Sequence, residues 1–395
     1  INSQLGSNKP LASAIPTLGT TDVMAGKTAW QKDPFKRDQN LDPMRDALNE
    51  GAKDMLNLLF LLTSATAAAV IAVQKDILDV HLVGEPLPNC PVPISRKKAT
   101  LISSKVDKYT DFTIWHVRRN EEMRTAIWVR DVLKKPIKIV FTSAAQRRHS
   151  AYPRWLISKM DLLIATSKEA ASFINNVHSV VPHGVSTDNF FPVSDRVQAW
   201  KNLEYGGSFG VACVGRIRPE KGTDLFVQSM LKILPKKPNM VALIIGKVEN
   251  KHKRFKEKLV NKISNANLSD RIIFTGEIKA ESMPKVMSAI SLLITLPRYE
   301  GYGMTPLESL ASGTPFVGTK TGYFEEFSSH GKYGSVVGLG DVDGASDAII
   351  DWLSKNDKLD DFSKNAQQYI LNNYSSEKEV NGIIEAYKSL LDNKE

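Results

Sequence analysis

The residues best suited to chemistry fall in two short segments. One is Leu296-Pro-Arg-Tyr-Glu300-Gly-Tyr-Gly-Met-Thr305-Pro-Leu-Glu308, which follows a strand pattern and opens a helical one. Gly301 and Gly303 let the backbone approach a ligand closely, with amide N–H groups turned outward. Together with Tyr302, Met304 and Thr305 they form a helix start, where backbone donors and the helix dipole favour a phosphate. Thr305, Pro306 and Glu308 also fit the N-cap, first and third positions of a Thr-x-x-Glu capping box. Glu308 therefore reads as a ligand for a bound group or as a cap, and Glu300 as a ligand or a solvated carboxylate.

The second segment is Val214-Gly215-Arg216-Ile217-Arg218-Pro219-Glu220-Lys221-Gly222. Arg216 and Lys221 come directly after an apolar strand pattern. Two cations at the carboxyl end of a strand suit a diphosphate, Arg by its planar fork and Lys as a point charge. The plain alternative is a pair of surface cations in a βα loop.

Elements must hold these segments in place, and the chain alternates short β-branched runs with helical patterns, as parallel βαβ units do. Strands are predicted at Asp79–Val83, Phe112–Val117, Lys138–Ser143, Asp161–Thr166 and Ser179–Pro182. A second series follows at Phe209–Val214, Met240–Ile245, Arg271–Thr275, Leu292–Leu296, Pro315–Gly318 and Gly334–Val337. Helices are predicted at Asp224–Leu234, Lys253–Ala266 and Ala345–Leu353, with Asp341 as N-cap of the last. The pattern Val380, Ile383, Ile384, Tyr387, Leu390, Leu391 marks an amphipathic terminal helix. The expected organisation is an irregular extension over 1–54, a first domain over 55–182 and a polar linker over 183–208. A second domain then spans 209–375 and a closing helix 376–395. Two such sheets face one another across a cleft, with ligands at the carboxyl ends of their strands.

Met55–Val73 is a charge-free run of MLNLLFLLTSATAAAVIAV. Its length reaches the lower range of a bilayer span, but Asn57, Thr63, Ser64, Thr66 and several alanines favour a buried core helix.

Composition narrows the class. The 395 residues are 42% hydrophobic and 24% charged, the balance of a globular protein and not of a disordered chain. Cys90 and Cys213 form no CxxC or zinc spacing, and Cys213 sits in an apolar run as a small core residue. Without a disulfide framework, a cytoplasmic setting is expected. The net charge is +9, and 18 Lys/Arg against 10 Asp/Glu lie between Met55 and Val180. That region should attract phosphate-rich partners such as an anionic glycolipid or the inner membrane surface. Nucleic acid is the weaker partner, because the basic clusters lack interleaved aromatics for base stacking.

Taken together, the two segments resemble glycosyltransferase family 4, retaining nucleotide-sugar-dependent enzymes with the GT-B fold. The family's Glu-x7-Glu motif reads Glu300…Glu308, and its GR…KG motif reads Gly215-Arg216…Lys221-Gly222. The resemblance covers about 76–395 and is strongest over 209–325. It implies that Arg216 and Lys221 hold the donor diphosphate and that Glu308 binds the ribose hydroxyls. Glu300 with the Gly301–Thr305 backbone would hold the transferred sugar. It also implies no metal and no cofactor beyond the donor substrate, so Asp341-Val342-Asp343 is an N-cap rather than a metal motif.

Within the first domain, Trp115–Met123 and Phe141–His149 look like the lipopolysaccharide-core mannosyltransferases of that family. That likeness implies GDP-mannose as donor, with Arg118, Arg119, Arg147 and Arg148 on an anionic acceptor. Many family members carry a catalytic His where this chain has Thr142-Ser143, which leaves His116 and His149 as the nearest substitutes, His116 first. The family's opening strand and Gly-rich loop find no match before Met55. The expected activity is hexosyl transfer, best guessed as mannosyl, to a glycolipid hydroxyl. Alternatives are a UDP-glucose- or UDP-galactose-dependent transferase, an inactive relative and a basic nucleic-acid-binding protein.

Overall fold

The computed structural model describes residues 57–62, 65–87, 89–104, 111–355 and 359–392. The extension expected over 1–54 lies outside the described residues.

The first sheet is built from β1 (Asn57–Leu62), β2 (Asp79–Gly84), β3 (Thr113–Val117), β4 (Ile137–Ser143), β5 (Leu162–Ala165) and β6 (Ser179–Val180). Its helices are α1 (Ala65–Gln74), α2 (Arg96–Ile102), α3 (Asn120–Ile127), α4 (Ala151–Ile157) and α5 (Lys168–Ser172), and α3 runs on into a π-helical turn at Trp128–Val132. After α6 (Arg196–Lys201) comes the second sheet: β7 (Phe209–Val214), β8 (Met240–Ile245), β9 (Ile272–Gly276), β10 (Leu292–Thr295), β11 (Phe316–Thr319) and β12 (Gly334–Val337). Its helices are α7 (Thr223–Ile233), α8 (Lys253–Asn265), α9 (Met283–Ala289), α10 (Met304–Ala311), α11 (Phe324–Ser328) and α12 (Val342–Ser354). The chain closes with α13 (Leu359–Asn373) and α14 (Ser376–Asp392).

Both sheets are parallel, ordered β2-β1-β3-β4-β5-β6 and β12-β11-β10-β7-β8-β9. Strand order reverses between β1 and β3 in the first sheet and between β10 and β7 in the second. Such switch points open a crevice at the strands' carboxyl ends. Helices cover both faces of the second sheet. Phe226, Met230, Ile263 and Ile349 fill one side, and Leu307, Leu310, Ala366 and Ile370 the other. On the first sheet, α2, α3 and α4 bury Ala99, Met123, Ala126, Leu156 and Ile157 against Trp115, Val117, Ile139 and Phe141.

The second-sheet strands Phe209–Val214, Met240–Ile245 and Gly334–Val337 match the sequence reading at both ends, and Asp341 caps α12 by accepting from the Gly344 N–H at 2.8 Å. The helix expected over Met55–Val73 is instead a strand, β1, followed by α1. A parallel strand flanked on both sides reads as an unbroken apolar run, which periodicity alone cannot tell from a buried helix. β1 pairs with both β2 and β3, so this stretch supplies an opening strand. No described helix is long and apolar enough to cross a membrane. Residues 183–208, expected as a linker, contain α6, whose Trp200 is buried against Gly210 of β7. The closing helix returns to the first sheet: α14 packs on α1 and β5, with Gly382 against Val181.

Candidate active site at the switch point of the second sheet

The loops after β7 and β10, neighbours at the switch point, carry the two segments singled out above. They are strapped together by Arg298, which donates in bidentate fashion to Asp224 at 2.8 and 2.7 Å and also to the Pro219 carbonyl. A backbone bond from the Arg298 N–H to the Glu220 carbonyl at 2.9 Å adds to the strap. Gly222 makes the fit feasible. Its φ is +68°, and a Cβ there would lie 1.8 Å from the Leu296 carbonyl oxygen.

This closeness brings Lys221 to Glu300, Nζ to Oε2 at 2.5 Å, with both side chains about three-quarters buried. The other oxygen of Glu300 accepts from the Gly301 N–H at 3.0 Å. An ammonium offers three donors, so Lys221 keeps donors for a second anionic partner. Arg216 stands exposed at the same strand end and reaches Glu249 at 3.1 Å. An exposed pair of this kind is weak and readily exchanged.

The next turn starts α10 at Gly303, whose φ of +105° and position 2.2 Å (as a built Cβ) from Phe324 require glycine. No side chain caps this helix. Thr305 is its second residue rather than its N-cap, so the expected capping box is absent. Glycine in the left-handed conformation turns the chain into the helix two residues earlier than the Thr-x-x-Glu pattern implies. Glu308 is thereby released from capping: it sits within α10, half-buried, and burial pushes its carboxyl up to about 7.

Tyr302 and Met304, both expected at the donor, turn their side chains into the core. Tyr302 is buried, stacks on Tyr323 and donates to the His183 carbonyl at 2.9 Å. Met304 packs with the same cluster. Only their backbone can face a ligand. Gly301 lies beside the first sheet, where a built Cβ would be 3.2 Å from the Ala144 carbonyl oxygen after β4.

The first-sheet candidates separate. Arg119, Arg147 and Arg148 are exposed on the loops after β3 and β4. His116 and Arg118 are not available in the way expected. His116 is fully buried, with Nδ1 2.6 Å from the Tyr387 hydroxyl and Nε2 2.7 Å from the Thr142 hydroxyl. Burial, then Arg118 and His183, hold its pKa well below the usual imidazole value, so it is neutral. An imidazole thus lies beside position 142, where the family's His was sought, but both of its nitrogens are spoken for inside the core. The Arg118 guanidinium is nine-tenths buried and pairs with Glu379 of α14 at 3.3 Å. Glu379 also binds His183 at 2.8 Å and the Gly184 N–H at 2.7 Å. Burial alone would raise its carboxyl, but His183, Arg118 and that amide hold it below the usual range.

The sequence reading missed Glu379, His183, Tyr387, Arg298 and Asp224. Arg298 and Asp224 were exposed to view, one in each motif segment's neighbourhood, yet nothing local marks them as partners. No cluster able to hold a metal ion occurs among the described residues.

The fold and this paired-loop site define a class. Residues 194–369 match the family model described as glycosyl transferases group 1. The chain belongs to the group 1 glycosyltransferases, enzymes of the GT-B fold. It is 38% identical to the lipopolysaccharide core biosynthesis mannosyltransferase LpsB of Rhizobium meliloti over 83% of this chain and 94% of that protein. It is also 38% identical to the lipopolysaccharide core biosynthesis mannosyltransferase LpcC of Rhizobium leguminosarum bv. viciae, over 70% and 78%. A glycosyltransferase structure from Rickettsia africae superposes with a TM-score of 0.71 at 16% identity, covering 86% of this chain and all of that one.

Proposed function

We propose that the chain transfers mannose from GDP-mannose to a hydroxyl of a lipopolysaccharide core, with retention at the anomeric carbon. The observation that carries this reading is the junction of Lys221, Glu300 and the uncapped start of α10 at the switch point. The names of the two mannosyltransferases that are 38% identical support the choice of sugar and acceptor.

In this reading Lys221, Arg216 and the amides around Gly303, Met304 and Thr305 receive the diphosphate. Glu308, ionised once it accepts from the ribose hydroxyls, fixes the nucleoside. Glu300, oriented by Lys221 and Gly301, holds the sugar. The bond between the anomeric carbon and the diphosphate oxygen breaks, and its electron pair leaves on the diphosphate. Cations and amide dipoles placed where that charge develops lower the barrier. The acceptor oxygen then bonds the anomeric carbon on the same face, and its proton passes to the departing phosphate. Arg119, Arg147 and Arg148 attract the anionic acceptor. His116 and Arg118 take no part in transfer: one is held by Tyr387 and Thr142, the other by Glu379. The acceptor's lipid anchor would bring the enzyme to the cytoplasmic face of a membrane.

Incubation with GDP-mannose and a deacylated lipopolysaccharide core, followed by NMR of the anomeric signal, tests the proposal. An α-mannosyl product with stoichiometric GDP is expected. Transfer from UDP-glucose alone, or inversion at the anomeric carbon, would overturn it.

A further inference from the structure

The two site loops leave neighbouring strands but run well past the last pairing between them. The ladder joining β7 and β10 matches Val211 with Leu292 and Ala212 with Leu293, and goes no further among the described residues. Lys221 and Glu300 lie beyond its end, so the sheet does not fix their separation. On its other side the β10 loop is better held. Pairing with β11 continues to Thr295, and the buried Thr319 hydroxyl then donates to the Pro297 carbonyl at 2.6 Å. Beyond the packing of Gly222 on Leu296, the register between the two chemical segments is left to side chains that cross from one loop to the other.

Arg298 makes that crossing. Its backbone N–H donates to the Glu220 carbonyl at 2.9 Å and its Nη1 to the Pro219 carbonyl, just before Lys221. Nη1 and Nη2 also donate to Asp224 at 2.8 and 2.7 Å, just after Lys221. Lys221 is thus gripped on both sides from a point close ahead of Glu300 in the chain. Stability alone does not account for the arrangement. The Arg298 side chain is 43% exposed and that of Asp224 22%, and ion pairs open to water contribute little to folding. A planar fork on a carboxylate fixes direction as well as distance, which a lysine at this position could not do.

We propose that Arg298 and Asp224 are positioning residues for sugar transfer, setting the Lys221 ammonium against the Glu300 carboxylate without a substrate contact of their own. This rests on the reading of Lys221 and Glu300 as donor contacts. A cation helps most when it is already in place as charge develops. Displacing such a group by about 1 Å can cost about 10²-fold in rate.

The test uses Arg298→Lys, which keeps the charge and removes the fork. Kinetics with GDP-mannose and the deacylated core should show kcat lower by about tenfold to 10²-fold, with KM for GDP-mannose within about threefold. The melting point should stay within a few degrees of wild type. Asp224→Asn should act in the same direction with a smaller loss. On a Lys221→Ala background, Arg298→Lys should cost less than about twofold more, because residues acting as a unit are not additive. A readout that needs no donor is the rate at which trace acetic anhydride labels Lys221, measured by mass spectrometry against the exposed Lys258. Labelling of Lys221 should rise several-fold in Arg298→Lys, as it should in Glu300→Gln, while Lys258 stays constant.

Unchanged Lys221 labelling in Arg298→Lys, or a full additional loss on the Lys221→Ala background, would overturn the proposal. So would a collapse of the melting point in both strap variants, which would make the pair part of the fold. Lost activity in Lys221→Ala beside wild-type kcat in Arg298→Lys would overturn this proposal alone. Wild-type kcat in Lys221→Ala would overturn the donor-site reading and this proposal with it.

Discussion

The loops after β7 and β10 and the loops after β3 and β4 offer a direct comparison. Each pair follows neighbouring strands of a parallel sheet, and each displays Arg or Lys at the carboxyl ends. In the second sheet the cations meet partners from the adjoining loop and stay at the crevice, with Lys221 on Glu300 and the exposed Arg216 on Glu249. In the first sheet the chain's own closing helix intervenes. Glu379 and Tyr387 of α14 take Arg118 and His116 into the interior, 261 and 271 residues away in sequence. Only Arg119, Arg147 and Arg148 remain outside. Position after a strand thus nominates a residue for chemistry, and the long-range partner decides whether it serves a substrate or the fold.

That contrast can be broken by substitution, beginning where the effect is largest. Lys221→Ala should lower kcat by about 10²–10³-fold, the usual loss when a donor to developing charge is removed, with stability nearly unchanged in a thermal melt. Glu379→Ala should act the other way. It strands a buried guanidinium and removes the His183 and Gly184 bonds, at a cost of about 3–5 kcal/mol in denaturant unfolding. Residual activity per folded molecule should stay close to wild type. If Glu379→Ala instead left stability untouched and abolished transfer, the division between the two regions would fail.

The double variant Arg147→Ala, Arg148→Ala should raise KM for the anionic acceptor several-fold, with steady-state kinetics as the check. Its stability should move by no more than about 0.5 kcal/mol, as for exposed side chains generally. The finest test concerns Glu308. Its carboxyl is raised to about 7 by burial, so the free protein holds a proton there at lower pH. Binding that needs the ionised form should tighten as pH rises through about 7 and should release a proton near that pH. GDP-mannose is the suitable ligand because its diphosphate diester does not titrate there. Calorimetry in buffers of different ionisation enthalpy should detect the proton in the wild type and miss it in Glu308→Gln. The stability sign is opposite: a raised carboxyl favours the folded state below the unfolded value and loses that contribution as pH rises through about 7.

Much of the second sheet was legible because its signals are local. Phe209–Val214 and Met240–Ile245 are apolar, β-branched runs ended by glycine, and both site segments lie whole within nine to thirteen residues. Three features were not legible. β1 shares its apolar continuity with a core helix, and only pairing on both edges distinguishes them. The start of α10 looked like a Thr-x-x-Glu cap because sequence does not report that Gly303 adopts a positive φ against Phe324. The burial of His116 and Arg118 depends on a helix at the far end of the chain, a contact without any sequence-local trace.

The central claim is that the switch-point loops form a nucleotide-sugar site. Thermal shifts with GDP, UDP, ADP and CMP, each repeated on Glu308→Ala, test it most directly. A ligand at a hundred times its dissociation constant adds about 2.7 kcal/mol, which moves a melt by a few degrees. A shift with GDP that disappears in Glu308→Ala is the predicted result. No shift with any nucleotide, or a GDP shift that Glu308→Ala leaves intact, would contradict it.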